Sequence, residues 1–216
     1  TLNDFINLPG SMPEKLKGDE VTAKTQWTGS LYDSSYYYNP YMEKYRKEGN
    51  IKFPFFLTPD KHYVGAAWYQ KEVNIPADWK GERILLFLER PHIETTVWVN
   101  GQKTGMQNSL CVPHQYDITR YVRPGKCTIT IRVDNRIKEI NVGPDSHSIT
   151  DQTQGNWNGI VGRICLQTTP KTYFDDIQIY PEPEQKLARV KVVIKGTGTA
   201  KVKLSAESFN TDKKHI

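Results

Sequence analysis

The sequence predicts an all-β fold, an antiparallel sandwich or jelly roll, and three observations carry that reading. From Ala66 onward, short runs alternate apolar and polar residues or stay continuously apolar, which is the patterning of strands. Turn signals separate these runs at intervals of roughly 8–15 residues, as sandwiches and barrels require. No segment holds a helical periodicity long enough for a convincing long helix, and no solenoid-type repeat is visible.

The elements follow in order. Residues 1–65 read as irregular and turn-rich, with Leu8-Pro9-Gly10-Ser11-Met12-Pro13 an extended, proline-punctuated segment. The stretch from Trp27 to Tyr45 carries Tyr32, Tyr36, Tyr37, Tyr38, Tyr41 and Tyr45. Pro40 and the four-residue spacing of Tyr41 and Tyr45 predict a short helix over 40–47. Trp68 to Ile75 alternates and stops at Pro76, while Arg83 to Glu89 is continuously apolar and reads as a central strand covered on both faces. Thr95 to Val99 runs into Asn100-Gly101, the pair that a type I′ hairpin turn prefers because both central residues need positive φ. The return strand spans 102–106. Residues 117–122 read as a single helical turn closed by Pro124-Gly125, followed by a clean strand from Cys127 to Val133. Arg163 to Gln167 and Tyr173 to Tyr180 continue the pattern. Pro181-Glu182-Pro183-Glu184 reads as a linker. Beyond it, 188–195 and 200–208 read as two strands joined by Gly196-Thr197-Gly198. Two strands cannot build a core, so they are expected to open a second domain. The expected organisation is therefore a domain over 1–181, led by the irregular 1–65, and a short incomplete β segment over 186–216.

Composition removes several function classes. A 216-residue chain with 37% hydrophobic and 25% charged residues suits a soluble globular protein. The net charge of +5 is spread along the chain with acids interleaved, unlike the concentrated basic face of a nucleic-acid binder. No apolar run is long enough to span a membrane as a helix. Cys111, Cys127 and Cys165 fit neither a zinc spacing nor a disulfide framework and are expected as buried apolar side chains within strands. The five histidines are scattered without metal spacing, and no acidic cluster calls for calcium, so no cofactor or metal is expected. Aromatics reach 11% of the chain, with 12 Tyr and 5 Trp, which serves a β core and also suits the C–H face of a sugar ring.

The segment from Trp68 to Arg163, with Trp98-Val99-Asn100-Gly101 at its middle and Trp157-Asn158-Gly159-Ile160 near its end, resembles the N-terminal domain of family 2 glycoside hydrolases. The resemblance rests on Trp68-Tyr69-Gln70-Lys71 with Val73, Pro76, Trp79 and Gly81, then Leu86-Phe87-Leu88-Glu89, then Thr96-Val97-Trp98-Val99-Asn100-Gly101 and Gly105. Tyr116-Asp117-Ile118-Thr119, Pro124-Gly125, Ile129 to Asn135, and Trp157-Asn158-Gly159-Ile160-Val161-Gly162-Arg163 complete the order. It implies a galactose-binding-like jelly-roll β-sandwich, with the segment after residue 181 opening the family's immunoglobulin-like domain. It also implies a retaining β-glycosidase parent of β-galactosidase type. Retention uses two carboxyls about 5 Å apart, and both glutamates belong to a catalytic barrel beyond this sequence. No catalytic residue is therefore assigned here, and the chain alone is expected to be inactive. The family's frequent export in bacteria implies a periplasmic or extracellular address.

The polar loop from His147 to Asn158 is the candidate sugar-facing element. Asp151, Asn156, Trp157 and Asn158 offer carboxylate, amides and a ring face, the groups that bind hydroxyls and pyranoses. Asp151-Gln152 resembles an Asp-Gln pair that places a carboxylate at the sugar site in β-galactosidases of the family. Two structural readings stand beside this: Asn, Asp and Gly also make turns for backbone reasons, and Trp157 could plug one end of the sandwich. Arg163 reads as structural, pairing with an acid near the domain junction. The tyrosine-rich segment either flanks a glycan or docks on the barrel. The partners expected are carbohydrate, through the parent enzyme, and the missing barrel and immunoglobulin-like domains, with neither nucleic acid nor membrane. Residues 188–208 are expected to be mobile, packed on the main domain, or paired with another copy in a dimer. A stand-alone carbohydrate-binding module is the alternative function.

Overall fold

The computed structural model describes residues 4–28, 34–53, 57–138, 146, 151, 155–210 and 213–215. The chain divides into two compact units, Thr1–Thr168 and Thr169–Ile216.

In the first unit the strands are β1 (Gly10–Ser11), β2 (Asp19–Glu20), β3 (Lys61–His62), β4 (Ala66–Ile75), β5 (Arg83–Pro91), β6 (Glu94–Val99), β7 (Gln102–Asn108), β8 (His114–Asp117), β9 (Gly125–Asp134) and β10 (Gly159–Thr169). Two four-stranded sheets result, ordered β4-β9-β6-β7 and β1-β10-β5-β8. Strand parity decides which side chains line the space between them. Along β9, Cys127, Ile129, Ile131 and Val133 are buried, while Thr128, Thr130 and Arg132 between them are only partly covered. Opposite Ile129 and Ile131 stand Val99 and Val97 of β6, both fully buried. Leu86 and Leu88 of β5 join the same cluster with Tyr116, Ile118 and Ile160. Each such side chain contributes about 1.5–3 kcal/mol of apolar transfer. As the sequence predicts, β5 lies inside its sheet.

The Asn100-Gly101 turn forms as expected, with φ of 49° and 79°. Asn100 also ties the hairpin to β9: its N–H donates to the Thr128 carbonyl at 2.8 Å, and its side-chain oxygen accepts from the Thr128 N–H at 2.9 Å. The expected single turns appear as 3₁₀ helices over Pro40–Tyr45, where the Asn39 side chain accepts from the Tyr41 N–H, and over Thr119–Tyr121.

The leading segment is better organised than its composition suggests. Tyr36 and Phe53 are buried, with Val21, Trp27, Met42, Tyr45 and Ile51 packed around them. Trp27 meets Phe53 edge-on at 4.9 Å between ring centroids. The segment is fastened to the sandwich where β1 pairs with the start of β10, Gly10 opposite Ile160 and Ser11 opposite Gly159. Gly159, at φ +152°, lies so close to β1 that a Cβ would stand 2.7 Å from the Ser11 Cα. Only glycine fits there.

Three expectations are corrected here. The proline-rich segment 181–184 is no linker: β11 (Tyr173–Glu182) and β12 (Leu187–Lys195) form an antiparallel hairpin, and Pro183–Gln185 is its turn. The turn closes because Lys186 takes a left-handed conformation and returns its N–H to the Pro183 carbonyl, so the two prolines fix a reversal. The partner of 188–195 is thus β11, not 200–208. Residues 200–207 form no strand, and β13 (Ser208–Asn210) pairs with β14 (Lys213–His215) instead. Finally, Cys111 is exposed and outside any strand, whereas Cys127 is buried in β9 and Cys165 half-buried in β10. In the second unit Phe174, Ile177, Ile179 and Leu204 stay exposed, as expected of a β segment too small to enclose a core.

Candidate functional site

The loop between β9 and β10 brings the predicted site residues together, and it is described at Ser146, at Asp151 and from Gly155 onward. Gln152, Gln154 and His147, and Tyr32 of the tyrosine segment, lie outside the described residues.

Asp151 is fully buried. Its carboxylate accepts from the Thr28 N–H at 2.5 Å and the Asn156 N–H at 2.7 Å, and its own N–H donates to the Thr28 carbonyl at 3.0 Å. Burial pushes its pKa up, against the opposing pull of the two N–H donors and the nearby His62. His62 is itself buried, and loss of solvent lowers its pKa despite Asp151 and Asp19. The side chain of Asp151 thereby ties the loop at Asn156 to Thr28 of the leading segment.

Asn156 extends the network. Its amide donates to the Thr28 hydroxyl at 2.9 Å and the Asn135 carbonyl at 3.2 Å, and its oxygen accepts from the Asn135 amide at 3.1 Å. Asn135, just past β9, accepts from the Gly65 N–H at 2.8 Å and donates to the Tyr63 carbonyl at 2.7 Å. Asn158 is fully buried between the two sheets' ends. It accepts from the Tyr69 hydroxyl at 2.8 Å and donates to the carbonyls of Gly65 and Val133, each at 2.9 Å. Burial raises the Tyr69 pKa, so the hydroxyl stays a donor. Both polar atoms of the Asn158 side chain are thus satisfied, as buried polar groups require.

Trp157, between these two amides, is half-buried and stacks on His92 with centroids 4.6 Å apart and rings 18° from parallel. Burial lowers the His92 pKa to about 4, opposed by a hydrogen bond with Asn156. At neutral pH the stack therefore joins two uncharged rings. Asn156 and Trp157 line a cleft of about 770 Å³, with Asn50, Lys52, Phe53 and Asp60 on the facing segment. That volume suits a small ligand, and its mix of ring face, amides, ammonium and carboxylate suits a hydroxyl-rich one. No metal-binding cluster occurs among the described residues.

Asp151, Asn156, Trp157 and Asn158 thus share one loop, but only Asn156 and Trp157 reach the cleft. Sequence reasoning did not find Thr28, His92, Asn135 or Asn50–Asp60. Thr28 lies 123 residues from Asp151, so no local spacing could reveal that pairing. Of the tyrosines, Tyr36 is buried while Tyr37, Tyr38 and Tyr41 are exposed. Arg163 does pair with an acid: its N–H and Nε both reach the Glu89 carboxylate, at 2.8 and 3.2 Å.

Two antiparallel sheets with a braced, aromatic loop at one end define a β-sandwich. Residues 16–170 match the family model described as glycosyl hydrolases family 2, sugar binding domain, and the chain belongs to that family. Human β-glucuronidase is 28% identical over 178 residues, covering 72% of this chain and 27% of its own. Mouse β-glucuronidase is 26% identical over 168 residues, covering 68% and 26%. The chain thus spans about a quarter of the length of these relatives. Among solved structures, a β-glucuronidase of Ruminococcus gnavus superposes with a TM-score of 0.53 at 20% identity, over 64% of this chain and 25% of that one. One from Faecalibacterium prausnitzii gives 0.50 at 24%, over 63% and 27%. These likenesses support the fold. The expectation of a β-galactosidase-type parent gives way to the coarser assignment, because these relatives are β-glucuronidases.

Proposed function

We propose that this chain is the sugar-binding domain of a retaining β-glycosidase of β-glucuronidase type, with catalytic glutamates supplied by a separate barrel. In this reading the loop carrying Asp151, Asn156, Trp157 and Asn158 forms one wall of the sugar site. The observation that carries it is the cleft beside Trp157, whose wall is held by the Asp151 and Asn158 hydrogen bonds. The β-glucuronidase relatives support the choice of sugar. Asp151 and Asn158 hold the wall, and Asn156 and Trp157 face the ligand.

The test is hydrolysis of p-nitrophenyl β-glucuronide and β-galactoside by the enzyme that contains this domain. The expected result is turnover of the glucuronide, a loss of about tenfold or more in kcat/KM on Trp157→Ala, and no turnover by the isolated chain. A tenfold loss corresponds to about 1.4 kcal/mol of transition-state binding. Unchanged kinetics in that variant, or preference for the galactoside, refutes the proposal.

Because the cleft is built from this chain's own residues, a stand-alone carbohydrate-binding role is the second reading. It predicts saturable amide shifts around Asn156 and Trp157 at micromolar to low millimolar sugar, roughly −8 to −4 kcal/mol. Flat spectra exclude it.

A further inference from the structure

The outer face of the β4-β9-β6-β7 sheet carries a feature that the loop site does not use. Trp68 of β4 stands opposite Arg132, and Trp98 of β6 stands opposite Thr130, so both indoles share the outward parity of β9. Their rings meet above that strand with centroids 5.0 Å apart and planes 34° from parallel. Trp68 is 47% exposed. An exposed Trp68 in contact with a partly buried Trp98 on the sheet's outer face marks a binding surface more strongly than a single exposed apolar residue does.

The surroundings indicate the chemistry of the occupant. Gln70 and Thr130, bonded to each other at 3.0 Å, supply hydrogen-bonding groups beside the rings. Lys103 faces Trp98 directly across the β6–β7 pair. At the end of the face, Glu94 and Asp134 are the acids, and Arg132, Arg136 and Lys138 all bind them. Three cations thus answer two carboxylates, and Lys103 adds another positive charge beside the rings. A tilted aromatic pair offers two faces at different angles, which fits the twisted succession of rings in a glycan chain better than a flat surface. The positive balance complements an acidic one.

We infer that Trp68 and Trp98 form a second carbohydrate-binding surface, selective for oligosaccharides bearing uronic acid carboxylates. It lies apart from the Trp157 cleft and does not depend on that site. The experiment follows indole N–H resonances of the purified chain during titration with two probes. One is a tetrasaccharide alternating glucuronic acid and N-acetylglucosamine, and the other is neutral cellotetraose. The expected result is saturable shifts at Trp68 and Trp98 with the acidic probe and at least tenfold weaker binding in Trp68→Ala. Lys103→Glu, an exposed change that leaves the core untouched, should weaken binding several-fold, and Trp157→Ala should not alter these shifts. Unchanged affinity in both Trp68→Ala and Lys103→Glu overturns the proposal, as does equal binding of cellotetraose. Shifts that follow protein concentration instead of sugar also overturn it, because they make this face a protein contact. Failure here leaves the Trp157 kinetics untouched, so the two readings fail separately.

Discussion

Replacing Asn158 by alanine tests how the loop wall is held. The side chain is fully buried and makes three hydrogen bonds, to the Tyr69 hydroxyl, the Gly65 carbonyl and the Val133 carbonyl. An orphaned buried partner costs about 1–3 kcal/mol. The Gly65 carbonyl retains a longer bond from the Asn135 N–H at 3.4 Å, and the Tyr69 hydroxyl can rotate. These offsets bring the expected loss to about 3 kcal/mol, below the simple sum for three partners. For a domain of this size each kcal/mol moves Tm by about 2–4 °C, so the melting temperature should fall by about 6–12 °C. Circular dichroism melts with urea unfolding at fixed pH measure it. Tyr69→Phe should cost about 1 kcal/mol alone and much less in the Asn158→Ala background, since the two share a bond. A loss under about 1 kcal/mol for Asn158→Ala refutes the idea that this amide joins the loop to β4 and β9.

Gly159→Ala should lower stability by about 2 kcal/mol or more, because its Cβ would meet the β1 backbone at a left-handed φ; the same melts check it, and a neutral effect contradicts the close approach. Asp151 has its pKa raised in the folded state, so folding holds its proton more tightly and its contribution to stability falls as pH rises from the unfolded carboxylate value of about 3.9 through the folded one. Asp151→Asn should remove that slope, as urea unfolding across this window would show. Asp134 behaves oppositely: burial works against its charge, but bonds from Arg136 and Lys138 prevail and hold its pKa well below the ordinary range. Its stabilisation is complete above the unfolded value and is lost as pH falls through the folded one, so the gap between wild type and Asp134→Asn should shrink in acid. A thiol reagent should label Cys111 quickly in the native chain and spare Cys127, whose thiol burial pushes up; equal labelling would contradict the placement of β9.

The strands of the sandwich were legible because one-dimensional patterns encode them. Alternation in 127–133 and the Asn100-Gly101 pair each require only neighbours in sequence, and both appear as expected. The hairpin at 173–195 was misread because its turn is made of prolines and acids, which also compose linkers. Chemistry alone does not distinguish a left-handed Lys186 from an extended spacer. The site was half legible. Residue types marked the loop, but whether Asp151 points to ligand or to backbone depends on Thr28 and Asn156, and the first of these is distant in sequence. The small core around Tyr36 and Phe53 was missed because its members are spread without period over an irregular stretch.

The pairing of Gly10 with Ile160 and of Thr28 with Asp151 has a consequence for the order in which the molecule is made. The residues of β1 and Thr28 find these partners only after β4 to β9 have been synthesised. Until then β1 is an unpaired strand, and the Thr28 N–H lacks its acceptor. Such long closures carry the largest entropy cost and are late to form. The loop wall is therefore finished late, when β1 is stitched to the start of β10. A nascent chain halted before residue 151 should contain most of the sandwich but not the loop wall.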